Sequence, residues 1–313
     1  MWDLNSLGIL DMTALDKKAV EGIRTSSQSS AGVLKKFSVQ IGEASLFVKS
    51  GYSFGKLYSI REPVTECIVS EIGHKLGFNV VKYALWVISR DLLDSIEYTN
   101  PSDEDEEEEL PAARTVNGRP SFQRFLMEQR MVLVSVCGSF ISGNESFHSC
   151  AKIAPLLKNR KLYEALISSE KNRVHLDQMI LMDYIVHNTD RHTKNFGFLF
   201  GEKIDPYMAP LYDHGLSLLS YYEDSLVEEY GMDLLTFDIG KPFGSLQACL
   251  DLVDPKSTHG INFAVTSDEL IAIVDKYQDV LSEARITLIK KVIRRGWDHV
   301  RNKFSVLQEN ADR

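Results

Sequence analysis

Between residues 176 and 200 the chain runs from an apolar helical stretch, "LDQMILMDYIV", into nine crowded polar positions. Those positions, "HNTDRHTKN", hold two histidines, an aspartate, an arginine, a lysine and two asparagines, and the apolar run "FGFLF" follows at once. Polar and charged groups at the edge of a core are costly unless each is paired or put to use. Ordinary surface loops are polar, but they seldom gather this mixture between two core elements. The stretch therefore calls for a core helix, a loop with chemistry in it and a core strand, in that order.

The rest of the pattern fits an α+β chain. Residues 33 to 49 alternate as strands do, with Phe37, Val39 and Ile41, then Leu46 and Val48, and Gly42-Glu43 is suited to the turn between them. Val64, Ile68, Ile72 and Leu76 stand four apart and predict a helix from about Pro63 to Leu76. Strand character resumes over 79 to 89 and again in "RMVLVSVCGSF". Beyond about residue 145 helical signals dominate, among them a Thr266/Glu269 capping box and the series Ile289, Ile293, Trp297, Val300 and Phe304. A chain of 313 residues exceeds what one core usually holds. The expected division is a β-rich N-lobe over 1–140 and a helical C-lobe over 141–313, with a polar insertion at about 95–120.

Composition excludes some classes. Seven of the nine net negative charges sit in the acidic run 103–109, leaving −2 for everything else, which argues against direct nucleic-acid binding. Cys67, Cys137, Cys150 and Cys249 are widely spaced, as free thiols in a reducing compartment are. The first residues lack the basic start and apolar core of a signal peptide, and no segment is long enough to span a membrane. The expected location is the cytoplasm, with secretion as an effector without a cleavable signal left open.

Within the crowded stretch Asp190 and Asn195 are separated by four residues, and Asp213 follows inside "APLYDHGLSL". D-x-x-x-x-N followed by D-x-G is how kinases arrange phosphoryl transfer. One Asp stands by the acceptor hydroxyl, and the Asn and second Asp hold Mg²⁺ against ATP phosphates. Mg²⁺ takes hard oxygen donors and few of them from protein. Upstream, Lys49 ends a strand and Glu66 lies on the next helix, the places of the ion pair that orients the α- and β-phosphates. Glu62 and Glu71 on the same segment remain alternatives to Glu66. A strand-end lysine facing a cleft contributes little packing, so loss of Lys49 is expected to leave the fold intact. "SSAGVLKK" (29–36) is a small-residue loop suited to covering phosphates with backbone N–H groups.

These segments resemble the HipA-like serine/threonine kinases. "NTDRHTKNFGF", "APLYDHG", "ECIVSEIGHKLGF" and the S-x-A-G-x-x-x-K stretch carry the resemblance, which runs from about residue 29 to 245. It implies a bilobed protein-kinase-like fold with ATP between the lobes. It implies Asp190 as catalytic aspartate, Asn195 and Asp213 as Mg²⁺ ligands, and Lys49 with Glu66 as the ion pair. Ser29, Ser30, Ala31, Gly32 and Lys36 would form the phosphate loop, with Ser29 as the self-phosphorylated serine. By this resemblance the chain looks closer to the compact, stand-alone members than to the full-length toxin kinases with their extra N-terminal domain. The resemblance further implies a protein substrate, a translation component in the family's best-known members, and an antitoxin or regulatory partner. The acidic run has no counterpart in it.

Other readings stand beside this one. Lys194 either reaches the γ-phosphate or is a solvated surface lysine. His187 and His192 around Asp190 could suggest a histidine–aspartate metal hydrolase, which leaves Lys49, Glu66 and "SSAGVLKK" without a role. A small-molecule phosphotransferase would use nearly the same parts, although its usual loop has H-G-D where this chain has Asn188-Thr189-Asp190. A catalytically dead kinase-like binding module would be expected to have lost Asp190, Asn195, Asp213 or Lys49, and all four are present.

Overall fold

The structure, a computed structural model, describes residues 2–29, 32–54, 57–96, 115–116, 119–153, 164, 166, 169–202, 204–236, 241–258 and 260–311. The acidic run, Ser30 and Ala31 lie outside these residues. The chain divides into two compact units. One comprises Met1–Cys67, Lys82–Ser139 and Lys276–Ile286, and the other Ile68–Val81, Phe140–Asp275 and Thr287–Arg313. Besides the change near residue 140, the division thus cuts two helices, Arg61–Leu76 and Glu283–Ala311.

The first unit is built on a seven-stranded sheet. Its members are β1 (Leu10–Asp11), β2 (Val20–Ser29), β3 (Gly32–Ile41), β4 (Ala44–Phe54), β5 (Leu57–Tyr58) and β6 (Tyr83–Ser89), while β7 (Thr115–Val116) and β8 (Arg119–Pro120) pair separately and β9 (Met131–Gly138) returns to it. The order is β1-β6-β9-β4-β3-β2, with β5 on β4. Alternation sets the faces: Phe37, Val39, Val48, Trp86, Ile88, Val134 and Val136 bury one side against Leu93 and Ile96. Each such side chain contributes on the order of 1.5–3 kcal/mol. Because Val48 faces this core, Lys49 must face the other side of β4.

Two expectations change here. Much of the Ser-rich segment is strand: Ser26, Ser27 and Ser29 belong to β2, Gly32 and Lys36 to β3, and Ser29 pairs with Gly32, while Ser30 and Ala31 between them lie outside the described residues. Residues 20–29 alternate poorly alone, but the strongly patterned β3 beside them supplies the pairing that propensity does not. The strand expected over 79–89 begins only at Tyr83. Residues 79–81 instead bond the segment before Asp213, through Val80↔Leu211, Leu211 N–H to the Asn79 carbonyl (2.8 Å) and Val81 N–H to the Leu211 carbonyl (2.8 Å).

The second unit is mainly helical, with a three-stranded sheet of β10 (Ser146–Ser149), β11 (Gly197–Gly201) and β12 (Ile204–Met208). Thr266 and Glu269 form the expected reciprocal cap. Ile289, Ile293, Trp297, Val300 and Phe304 are all buried, and Trp297 donates Nε1–H to the Val265 carbonyl (2.9 Å). None of the described helices is long and apolar enough to cross a membrane.

The Glu170–Ile185 helix is buried along most of its length, its start capped by Ser169. It also buries His175, whose pKa burial pulls down to about 4 against a backbone hydrogen bond at Asn79. A histidine depressed from about 6.5 leaves its full contribution above pH 6.5, lost as pH falls toward 4, roughly 3 kcal/mol in all. Urea midpoints at pH 7.5 and 4.5 should therefore differ less in His175→Gln than in the parent. Equal pH dependence in both proteins would dismiss His175 as the cause.

Candidate active site

In the sheet unit, Lys49 Nζ lies 2.5 Å from Glu66 Oε1. The lysine side chain is 12% exposed and the glutamate fully buried. Helix Arg61–Leu76 presents Glu66 because Val64, Ile68, Ile72 and Leu76, all at 0% exposure, fix its buried stripe. Ser59 Oγ accepts the Arg61 N–H at its start. Of the acidic residues on this segment, it is Glu66 that Lys49 reaches. Glu62, one turn earlier, is also buried, and burial pushes its pKa up against Arg61 and Ser59. Gly51 lets β4 pass close to the segment before this helix: a Cβ there would lie 1.9 Å from the Ser59 carbonyl oxygen. Lys36 stands directly across from Lys49 in the β3–β4 register. Like charges opposite one another are unfavourable in a sheet, and Glu66 offsets this from the Lys49 side.

In the helical unit, the Glu170–Ile185 helix ends at Val186, and His187 turns the chain with a left-handed φ of 49°. Asn188 then works both ways. Its Nδ2 donates to Asp183 Oδ1 (2.8 Å), and its Oδ1 accepts the Asp190 N–H (3.1 Å). Asn195 Nδ2 donates to the Asp190 carbonyl (3.0 Å), and Asn195 N–H to the His192 carbonyl (2.8 Å). Asp190 and Asn195 are thereby held in one closed turn. His192 is structural within it, accepting the Lys194 N–H at Nδ1 (3.3 Å). Lys194 is exposed. Two residues beyond Asn195, Gly197 lets β11 pair with β10, because a Cβ there would lie 2.2 Å from the His148 carbonyl oxygen.

The residue that ties this loop to Asp213 is Arg191, which sequence reasoning passes over. It is fully buried. Its Nε and Nη2 grip Asp183 (2.9 Å each), while Nη1 donates to the carbonyls of Asn195 (2.8 Å) and Tyr212 (2.7 Å). Burial works against its charge, but Asp183 more than offsets this and raises the pKa, with help from Asp213. Burial also raises Asp183, against Arg191 and Asn188. The donors converging on both Asp183 oxygens leave no place for a proton, so we take the pair as ionised. A signal for it existed: Asp183 is an acid inside the apolar run "ILMDYIV", and a buried acid demands a partner.

Asp213 itself is half-buried with φ 61°, a left-handed backbone that costs a non-glycine residue about 1–2 kcal/mol and clusters at functional sites. Its neighbours hold it there. Tyr212 stacks on Phe140 and donates its hydroxyl to the Lys194 carbonyl (2.9 Å), and Leu218 N–H bonds the Val186 carbonyl (2.8 Å). The donor types suit a hard cation such as Mg²⁺: Asn195 commits its nitrogen to the Asp190 carbonyl and carries an amide oxygen, and Asp213 carries a carboxylate. Among the described residues no group of three or more His, Cys, Asp or Glu side chains is placed to hold a metal ion.

The fold is that of a kinase. A crystal structure of the Helicobacter pylori proinflammatory kinase CtkA matches with a TM-score of 0.58 over 87% of this chain and 95% of that one, at 14% identity. The chain belongs to the HipA-like C-terminal domain family, whose family model matches residues 28–241, a span that includes Lys49, Glu66, Asp190, Asn195 and Asp213. Among curated proteins, none matches it in sequence.

Proposed function

We propose that the protein is an ATP- and Mg²⁺-dependent protein kinase acting on serine or threonine hydroxyls. The observation that carries this reading is the locked turn that holds Asp190 and Asn195 and is tied through Arg191 to the segment bearing Asp213. The Lys49–Glu66 pair supports it. In this reading Asp190 accepts the hydroxyl proton, Asn195 and Asp213 ligate Mg²⁺, and Lys49 and Lys36 meet the phosphates of the nucleotide. The metal, when bound, neutralises phosphate charge. Self-phosphorylation falls on Ser29 at the end of the β2–β3 hairpin, and the other partners are a protein substrate and a regulatory or antitoxin-like protein.

Incubation with γ-labelled ATP and Mg²⁺, followed by peptide mapping, tests this. Label on serine or threonine in the parent and none in Asp190→Ala is the expected outcome. Label on added small molecules but on no protein would instead favour a small-molecule phosphotransferase.

Lys49→Met carries a second expectation that differs from the one drawn from sequence. Glu66 is fully buried and would lose its counter-ion, so the variant should lose transfer and also about 2–3 kcal/mol of stability. Adding Glu66→Gln should return most of the stability and none of the transfer. Thermal melts of the two variants beside the parent decide it, and a Lys49→Met protein as stable as the parent would refute the argument.

A further inference from the structure

We propose that Lys241 is a catalytic residue of the same phosphoryl transfer, the cation that neutralises the transferred group. This rests on the kinase reading of Asp190. Lys241 Nζ lies 3.2 Å from Asp190 Oδ1, although 51 positions separate the two residues in the chain. Both belong to the helical unit.

The loop's own cations are otherwise placed. Arg191 is spent on Asp183 and two carbonyls. Lys194 is exposed, and its backbone is what the loop uses: its N–H meets His192 and its carbonyl receives the Tyr212 hydroxyl. His192 Nε2 stands 3.8 Å from Asp190 Oδ2, beyond hydrogen-bond length. Of the described side chains, Lys241 brings an ammonium within hydrogen-bond length of the Asp190 carboxylate, the group assigned to the acceptor's proton.

The contact is also suited to being shared. The Lys241 side chain is 47% exposed and that of Asp190 31%, so the pair is a half-open one. Such pairs are worth about 0–1 kcal/mol, little enough for a phosphate to compete. A lysine supplies a compact charge on a flexible stem, able to swing from Asp190 Oδ1 to the oxygens of the γ-phosphoryl. In the transfer, the acceptor oxygen bonds to the γ-phosphorus as the bond from that phosphorus to the β–γ bridging oxygen breaks. ADP leaves with the electron pair, and the hydroxyl proton passes to Asp190 and then to solvent. Lys241 stays with the moving group, where charge is spread over three oxygens.

The test compares kcat and KM for ATP in the parent, Lys241→Met, Lys241→Arg and Lys194→Met, with the affinity of each for Mg²⁺ and ADP by calorimetry. ADP lacks the transferred group. Lys241→Met should therefore lose about a hundredfold or more in kcat while its ADP affinity stays within about twofold of the parent's. Lys241→Arg should keep about a tenth or more of the parent rate, and Lys194→Met should lose at least about tenfold less than Lys241→Met. Lys241→Met retaining more than about a third of kcat in an active parent overturns the role of Lys241 and leaves the kinase reading standing. A matching loss of ADP affinity overturns it too, since that marks a structural role. A parent with no transfer above Asp190→Ala overturns both.

Discussion

Asp190→Ala should retain less than about a thousandth of the parent's phosphoryl transfer while still binding Mg²⁺ and ATP. Its carboxylate is half-exposed and its side-chain contacts are the lysine at 3.2 Å and His192 at 3.8 Å, so removing it opens no cavity. The turn survives as well, because Asn188 and Asn195 bond the backbone of residue 190 rather than its side chain. Stability should accordingly stay within about 1 kcal/mol of the parent's. Asp213→Ala should lose transfer to a similar degree but differ in binding, since on the proposed reading it removes a Mg²⁺ ligand and the metal-dependent affinity for ATP should go with it. Rates with γ-labelled ATP, set beside nucleotide titrations with and without Mg²⁺, separate the two. Near-normal transfer in Asp190→Ala would remove Asp190 from the mechanism.

Much of this arrangement is legible in the sequence, and the reasons differ by residue. The β3–β4 hairpin follows from strict alternation about Gly42, and the face of the Glu66 helix from four apolar residues at helical spacing. Both are local patterns. The order of chemical groups, Lys49, Glu66, Asp190, Asn195, Asp213, is legible because residue type limits what each can do to phosphate or Mg²⁺. What stays hidden is non-local. Arg191 reads as one more solvated charge in a polar loop; Asp183 in its apolar run hints at a partner, but the two main-chain carbonyls that Arg191 also holds leave no mark in a sequence. Lys241 reaches Asp190 across 51 positions, with no pattern joining them. Residues 79–81 look like the start of a strand because they are apolar, yet their backbone is taken by Leu211. The serines of β2 look like a loop because serine is common in loops, and only the neighbouring strand decides otherwise.

Arg191→Met should be the most destabilising single change in the helical unit's loop, at about 3–5 kcal/mol, with melting about 10 °C lower. The methionine fills much of the volume, so the cost is electrostatic: Asp183, 4% exposed, stays buried without its counter-ion. Asn188 alone cannot compensate for two lost guanidinium contacts. Two carbonyls also lose their donor, those of Asn195 and Tyr212, and these sit on or beside the residues assigned to the metal. A second substitution tells the two effects apart. In Arg191→Met/Asp183→Leu the stranded charge is gone, and an apolar pair in place of a buried ion pair is often neutral or better. Asn188 Nδ2 would then lack its acceptor, a smaller cost of about 1–3 kcal/mol. The double variant should therefore melt above Arg191→Met, yet its phosphoryl transfer should remain low, because nothing restores the link between the Asp190–Asn195 turn and the Asp213 segment. Denaturant midpoints and transfer rates on the same preparations check both halves. If transfer returned along with stability, Arg191 would be a packing residue only; if the single variant were as stable as the parent, the buried pair would not be holding the loop at all.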